Sequence, residues 1–218
     1  MINGIYYMEE MNGQKEDIKS LMLYYSDILA CLSLMLRYPN ENVYKLIKEF
    51  YENFNNLLEL YGIKGGELPN REDMEVEYIR LFEANLGGVI APLYSSVYTS
   101  KEKLLLRDST VELRMFMAGE GFAIKDDLKD IEDNIYIMLE FLSMLFSKMD
   151  EGEANKLSIV KKVLSDYINP MLDQFSEKVE NGSKLNLYKN VAQLLREGIK
   201  ELSENIDFLE KEYFKIGI

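Results

Sequence analysis

The sequence predicts an all-α protein folded as a single domain, and three observations carry that expectation. Apolar residues recur at three- and four-residue spacing along most of the chain, the signature of helices with one buried face. No stretch alternates apolar and polar residues convincingly enough to form a strand. Only four of 218 residues are proline, whereas the helix formers Leu, Met, Glu and Lys are abundant. A chain of this length buries a sizeable core in one domain, and 47% apolar with 29% charged residues is a globular composition. Residues 1–218 read as one helical bundle of about seven or eight helices, with 1–15 a flexible or loosely packed N-terminus.

The elements follow in order. A first helix over residues 16–37 places Leu21, Tyr24, Tyr25, Ile28, Leu32, Met35 and Leu36 on one broad face. It stops before Pro39, which steers the preceding residue out of the helical region. Asn40 can cap a second helix carrying Val43, Leu46, Ile47, Phe50, Phe54, Leu57 and Leu58, ended by Gly62. Residues 62–69 form a turn-rich connection. Asn70 starts a third helix, with Glu72, Asp73 and Glu75 where the helix dipole favours anions. That helix carries Met74, Tyr78, Leu81 and Phe82 and ends near Gly87 and Gly88. After a loop, Asp108, Ser109 and Thr110 cap a short helix that reaches Gly119 and Gly121. The most hydrophobic helix begins at Asp130 or a neighbour and runs through Ile135, Met138, Leu139, Leu142, Leu145 and Phe146. Residues 153–168 form the next, and Pro170 can open another at its first position. A last helix runs from about Leu185 towards Phe214.

Composition excludes several chemistries. There is no histidine, so no Ser-His or Cys-His catalytic unit and no histidine-ligated metal or haem. The single cysteine, Cys31, lies in the apolar run from Ile28 to Leu36, where a buried inert thiol is expected, and it cannot form an internal disulfide. The net charge of −13, from 25 basic and 38 acidic side chains, opposes nucleic acid and permits a cationic partner. Nothing in Gly62-Ile-Lys-Gly65-Gly66 continues into the Lys-Ser/Thr of a phosphate-binding loop. The N-terminus lacks a basic start and acids interrupt it early; Ile28–Leu36 is the longest uncharged apolar run, far short of a membrane span. A cytoplasmic protein without cofactor, metal or catalytic residues is expected.

Three segments are candidates for binding. In Glu77-Tyr78-Ile-Arg80-Leu81-Phe82, the residues Tyr78, Leu81 and Phe82 share one helix face. This is core packing, or a wall beside the following loop. That loop, Gly87 to Tyr98, combines two glycines with Pro92, Tyr94, Ser95, Ser96 and Tyr98. It is either a plug over the core or one wall of a peptide groove, where tyrosines supply contact area at low entropic cost. The third segment, Asp126 to Asn134, holds five acids and one base in nine residues. Acids at a helix start are ordinary, but this run, with Asp130, Glu132 and Asp133 among its acids, could also form an anionic mouth for arginines. Glu140 interrupts an apolar helix seven residues after Asp133, a spacing that puts both on one face at about 10 Å. Its roles are an ion pair, for instance with Arg80 or Arg114, or recognition of a guest arginine.

Taken in order, Glu77-Tyr78-x-x-Leu81-Phe82, Pro92-x-x-Ser95-x-Val97-Tyr98, and Glu132-Asp133-Asn134 leading to Leu139-Glu140-Phe141 resemble the TorD/DmsD/NarJ family of chaperones that mature molybdenum-containing oxidoreductases. The resemblance covers residues 74–146 best. It implies an all-helical fold that binds the N-terminal twin-arginine leader of a molybdopterin oxidoreductase apoprotein until cofactor insertion. By the same resemblance the peptide-binding residues are Tyr78, Leu81, Phe82, Pro92, Tyr94, Ser95, Tyr98, Glu132, Asp133, Asn134 and Glu140. The family's usual histidine is Asn134 here, which hydrogen-bonds but gains no charge near neutral pH. The usual second proline and acid of the loop block are replaced by Ala91 and Ser96. Alternatives are a structural subunit of a cytoplasmically anchored oxidoreductase, or a nucleotide-binding protein. Long helices joined by hinges also allow a homodimer by helix exchange.

Overall fold

The computed structural model describes residues 15–99, 108–124, 130–150 and 156–216, and every regular element in them is helical. Helix α1 (Lys15–Met35) and α2 (Glu41–Leu60) are followed by α3 (Arg71–Tyr78), which runs into a π turn, Ile79–Glu83. A short α4 (Ser95–Thr99) precedes α5 (Asp108–Gly119) and α6 (Ile135–Asp150). Next, α7 (Lys156–Val163) passes through a second π turn, Leu164–Ile168, into α8 (Asn169–Gly182), and α9 (Asn186–Ile216) completes the chain. Every expected helix is present; α4, inside the expected loop, is additional. The expected N-terminal segment falls outside the described residues, apart from Lys15.

The expected caps are where local chemistry requires them. Asn40 Oδ1 accepts from the amides of Asn42 and Val43 at 3.1 and 3.0 Å, and Asn70 Oδ1 from Asp73 at 2.9 Å. At the end of α2, Gly62 adopts φ 68°, donates to Glu59 O, and lets Ile63 N reach back to Leu58 O at 2.8 Å. That pattern needs a left-handed residue, which glycine supplies without Cβ strain. The first turn of α8 contains Pro170, as its missing amide proton allows.

The core is built on α1 packed along α6, with α9 against both α1 and α8. Where α1 and α6 cross, Ser26 and Ser143 exchange hydroxyl-to-carbonyl bonds of 3.1 and 2.9 Å, so small residues permit close approach without an unpaired hydroxyl. Ile18, Leu21, Met22, Leu29, Leu32, Phe141, Leu142 and Phe146 are each at most 1% exposed around this seam. By length and composition, Glu16–Met35 could cross a membrane, unlike the shorter uncharged run counted from sequence. Here that helix spends its apolar face on the core.

The π turn after α3 builds the wall on which the next loop rests. Ala84 N bonds Ile79 O across five residues at 2.8 Å, and the widened turn brings the adjacent Leu81 and Phe82 both into the core, at 0% and 4% exposure. Phe82 packs edge-on against Tyr78 and Tyr188 with centroids 5.0 and 5.5 Å apart, and stacks on Phe175.

Candidate functional site

Beyond the π turn the chain reverses at Gly87 and Gly88, at φ 109° and 105°, conformations costly for any side-chain-bearing residue. It returns along the core, with Ala91 N on Leu81 O at 2.9 Å. Tyr94 then forms an antiparallel bridge with Asn134: Ile135 N donates to Leu93 O at 2.8 Å and Ser95 N to Asp133 O at 2.9 Å. The loop is thus stitched to the turn that opens α6, and the second and third sequence blocks meet although they lie far apart along the chain.

Side chains fasten the same seam. Asp133, 1% exposed, accepts the Ser96 amide at 3.0 Å on Oδ2, while its Oδ1 has no hydrogen-bond partner among the described residues. Burial pushes its carboxyl above the ordinary range, against the hydrogen bonds from Ser96. The Ser95 hydroxyl donates to Tyr167 O at 2.7 Å and Tyr98 OH to Pro92 O at 2.9 Å, with the Tyr98 ring edge-on to Phe175. These groups hold the loop in place. Half-buried Pro92 supplies a carbonyl to that brace.

Asp130 is the hub of the part that faces outward. Its Oδ2 accepts from Asn134 Nδ2 at 3.0 Å and from Tyr136 OH at 2.5 Å, and the Tyr94 phenol lies beside the same carboxylate. Asn134 also takes the Tyr136 amide on Oδ1 at 3.2 Å, so one asparagine caps α6 and orients the acid. Burial, with Asp130 beside it, raises the Tyr94 phenol to about 12, and the same causes raise Tyr136. Both phenols therefore stay protonated donors at neutral pH. Arg37, from the end of α1, lies over the Tyr136 ring at 5.3 Å and pairs with Glu140. Arg37, Tyr136, Glu140 and Phe122 line a pocket of about 140 Å³ beside the hub.

The cluster's carboxylates divide sharply. Glu77 chelates Arg80 through two bonds of 2.8 and 2.7 Å and accepts from Ser183 and the Lys184 amide. Burial opposes its charge, but these donors outweigh burial and hold its carboxyl below the ordinary range. Glu132 takes two bonds from Arg114, at 2.5 and 2.9 Å, with the same direction of shift for the same balance of reasons. Glu140 holds Arg37. Asp130 differs from these three: among the described residues its donors are neutral and none is an arginine.

Several sequence expectations change. The partner of Glu140 is Arg37; Arg80 and Arg114 belong to Glu77 and Glu132. Asp133 and Glu140 do not share an anionic face, because α6 starts at Ile135 and leaves Asp133 buried in the preceding turn, while the Glu140 side chain is 48% exposed. Tyr78, Leu81 and Phe82 form the core wall behind the loop, at no more than 4% exposure. Tyr94, Asn134 and Glu140 do come together, joined by Asp130, one acid of the expected anionic run, and by Arg37 and Tyr136, which sequence reasoning did not select. The four-residue spacing of Asp130 to Asn134 is a local signal for their pairing; nothing local links either to Arg37. Residues 125–129, including two acids of the acidic run, lie outside the described residues. Among the described residues, no group of three or more His, Cys, Asp or Glu side chains could hold a metal.

Comparison with known proteins bears on the family and the fold. The family described as nitrate reductase delta subunit matches residues 40–177. The chaperone protein TorD of Vibrio parahaemolyticus is 28% identical over 138 residues, covering 59% of this chain and 63% of that protein. The chaperone protein TorD of Vibrio cholerae (strain El Tor Inaba N16961) is 28% identical over 154 residues, 66% of this chain and 69% of that one. The chain thus matches less than two thirds of the length of the V. parahaemolyticus relative. A crystal structure of a candidate redox enzyme maturation protein from Archaeoglobus fulgidus superposes with TM-score 0.55 at 21% identity, over 78% of this chain and 91% of that one, and supports the all-helical fold. With the family match spanning more than half the sequence and its blocks joined in one seam, the chain belongs to the nitrate reductase delta subunit family, the TorD/NarJ group.

Proposed function

We propose that this protein is a maturation chaperone for a redox enzyme, a binding protein rather than a catalyst, acting in the cytoplasm on the N-terminal leader of a molybdopterin oxidoreductase apoprotein. The relatives named as chaperones support the class. The observation that carries the site is Asp130: no arginine among the described residues neutralises it, and Tyr94, Asn134 and Tyr136 hold it ready. A leader with paired arginines and an apolar body would place one guanidinium on Asp130 and apolar side chains against Tyr94, Tyr136 and Phe122. Tyr78, Leu81, Phe82, Pro92, Ser95, Tyr98, Glu132 and Asp133 then act behind the surface, fixing the loop that carries Tyr94.

The test is calorimetry with the full chain and a synthetic twin-arginine leader. Replacing Asp130 by Asn should weaken binding roughly 10- to 100-fold, the worth of one charged hydrogen-bonded contact of about 1.5–3 kcal/mol. Raising the salt should weaken the parent's binding more than the variant's. Unchanged affinity in the variant would reject this placement. Because Asn134 gains no charge, binding should show no histidine-like step near pH 6.5.

A further inference from the structure

Helices α1 and α2 part along their outer sides, leaving a groove of about 460 Å³ that the Asp130 cluster does not touch. Cys31 and Leu34 line it from α1, and Phe50, Leu57 and Leu60 from α2. Phe50 is 44% exposed, and Leu46, one turn earlier, 45%. From Leu46 to Leu60 the row runs for about 21 Å at the helical rise, long enough to seat a guest helix of about 14 residues. Scattered exposed leucines are ordinary, but a concave apolar row marks a contact surface.

Polar groups in the groove narrow the guest. Asp27, Asn53 and Asn56 line it, and none of these side chains has a hydrogen bond or ion pair among the described residues. Partial burial raises the Asp27 carboxyl above its ordinary range, a sign of a charge short of compensation. Asp27 is the charged residue in the lining, and exposed Glu49, Glu52 and Glu59 outnumber exposed Lys45 and Lys48 on the same helix. The whole chain carries −13, so a second copy would bring acid against acid, whereas a basic segment gains attraction.

We propose that the α1–α2 groove docks one amphipathic helix of a basic partner polypeptide, its apolar face on Leu34, Phe50 and Leu57 and one lysine or arginine on Asp27. This surface is separate from the leader site and does not depend on it. Leu34 lines the groove and Arg37, one turn later, lines the Tyr136 pocket, so a single bound polypeptide could reach both.

The experiment uses the full chain and a fluorescent synthetic helix of about 14 residues, with a leucine face and lysines elsewhere. A control peptide carries glutamate in place of lysine. Anisotropy reads affinity, and the sole cysteine, Cys31, part-exposed in the groove with its thiol pushed up to about 12 by burial, reports the site itself through its slow maleimide labelling at raised pH. The lysine peptide should bind and slow Cys31 labelling, with the glutamate peptide at least about tenfold weaker. Phe50→Ser should weaken binding by about tenfold or more and Asp27→Asn by several-fold, both at exposed positions that leave the fold intact. Tyr94→Ala and Asp130→Asn should change nothing here, which separates this result from failure or success of the leader reading. Absence of binding, equal binding of both peptides, or Cys31 labelling at its free rate would overturn the proposal. So would binding lost through Asp130→Asn alone, or a self-association abolished by Phe50→Ser, which assigns the groove to a second copy.

Discussion

Removing the Glu77 side chain should be among the most damaging single changes in this protein, although Glu77 lies beside the motif residues and invites a functional explanation. The carboxylate is enclosed, with 5% of its side chain exposed, and ties the end of α3 to the turn between α8 and α9. Arg80, the Ser183 hydroxyl and the Lys184 amide all donate to it, while Arg80 continues to Gly182 O. In Glu77→Ala the Lys184 amide loses its acceptor and Arg80 loses both carboxylate bonds, keeping Gly182 O, while the Ser183 hydroxyl keeps Leu185 O. Breaking one partner of a buried pair costs about 3–5 kcal/mol, because the other charge stays behind uncompensated. For a chain of this size each kcal/mol lowers Tm by about 2–4 °C, so Tm should fall by roughly 6–20 °C. Glu77→Gln keeps the shape and one acceptor oxygen but loses the charge and turns the other oxygen into a donor facing Arg80 Nε, so it should cost about 1.5–3 kcal/mol. Urea unfolding and differential scanning calorimetry near pH 7 measure both. A Glu77→Ala protein within about 1 kcal/mol of the parent, at unchanged m-value, would refute the reasoning.

Two further expectations concern the same region. Glu77 and Glu132 have carboxyls held below their ordinary 4.5, so the stability they add is present above that pH and lost as pH falls through their folded-state values. Asp133 is displaced upward, so its protonation favours the folded chain and its contribution has the opposite sign. Urea midpoints measured from about pH 6 down to about pH 3 should therefore fall less steeply in Glu132→Gln than in the parent, and more steeply in Asp133→Asn. Parallel curves would reject the assignment. Gly182 has a steric rather than a conformational reason to be glycine: a Cβ there would sit 2.7 Å from Ile90 Cγ2 and 3.5 Å from Leu81 Cδ2. Ile90 is branched at Cβ and cannot swing that methyl away easily, so Gly182→Ala should destabilise by about 1–3 kcal/mol. Ile90→Ala in the same chain should recover most of that loss; strictly additive costs in the double-mutant cycle would reject the contact.

Legibility from sequence differs by element. The Asn40 and Asn70 caps, Gly62 at the end of α2 and Pro170 in the first turn of α8 all act on backbone groups within a few residues, so local sequence suffices to place them. The start of α6 lies about one turn later than expected, because acids at a helix start and acids in a preceding turn look alike. Asp130 to Asn134 form that turn, and their backbone is engaged by the returning loop. The short α4 escapes sequence reading because five residues show no period, and its first amides are secured by Asp133 from another part of the chain.

The run of helices, their caps, their apolar faces and the ordered motif blocks that mark the family are written in the chain itself. Each of these is encoded by neighbours three or four residues apart. The distribution of counter-charges is instead a product of packing. Glu140 meets Arg37 across 103 residues, while Glu132 takes Arg114 and Glu77 takes Arg80, leaving Asp130 to neutral donors among the described residues. The carboxylates of such a short stretch look equivalent in one dimension. Packing of α1 against α6, and of the returning loop against Asn134, sorts the acids that hold an arginine from the one held by phenols and an amide. Ion pairing depends on distance and burial, and spacing along the chain specifies neither.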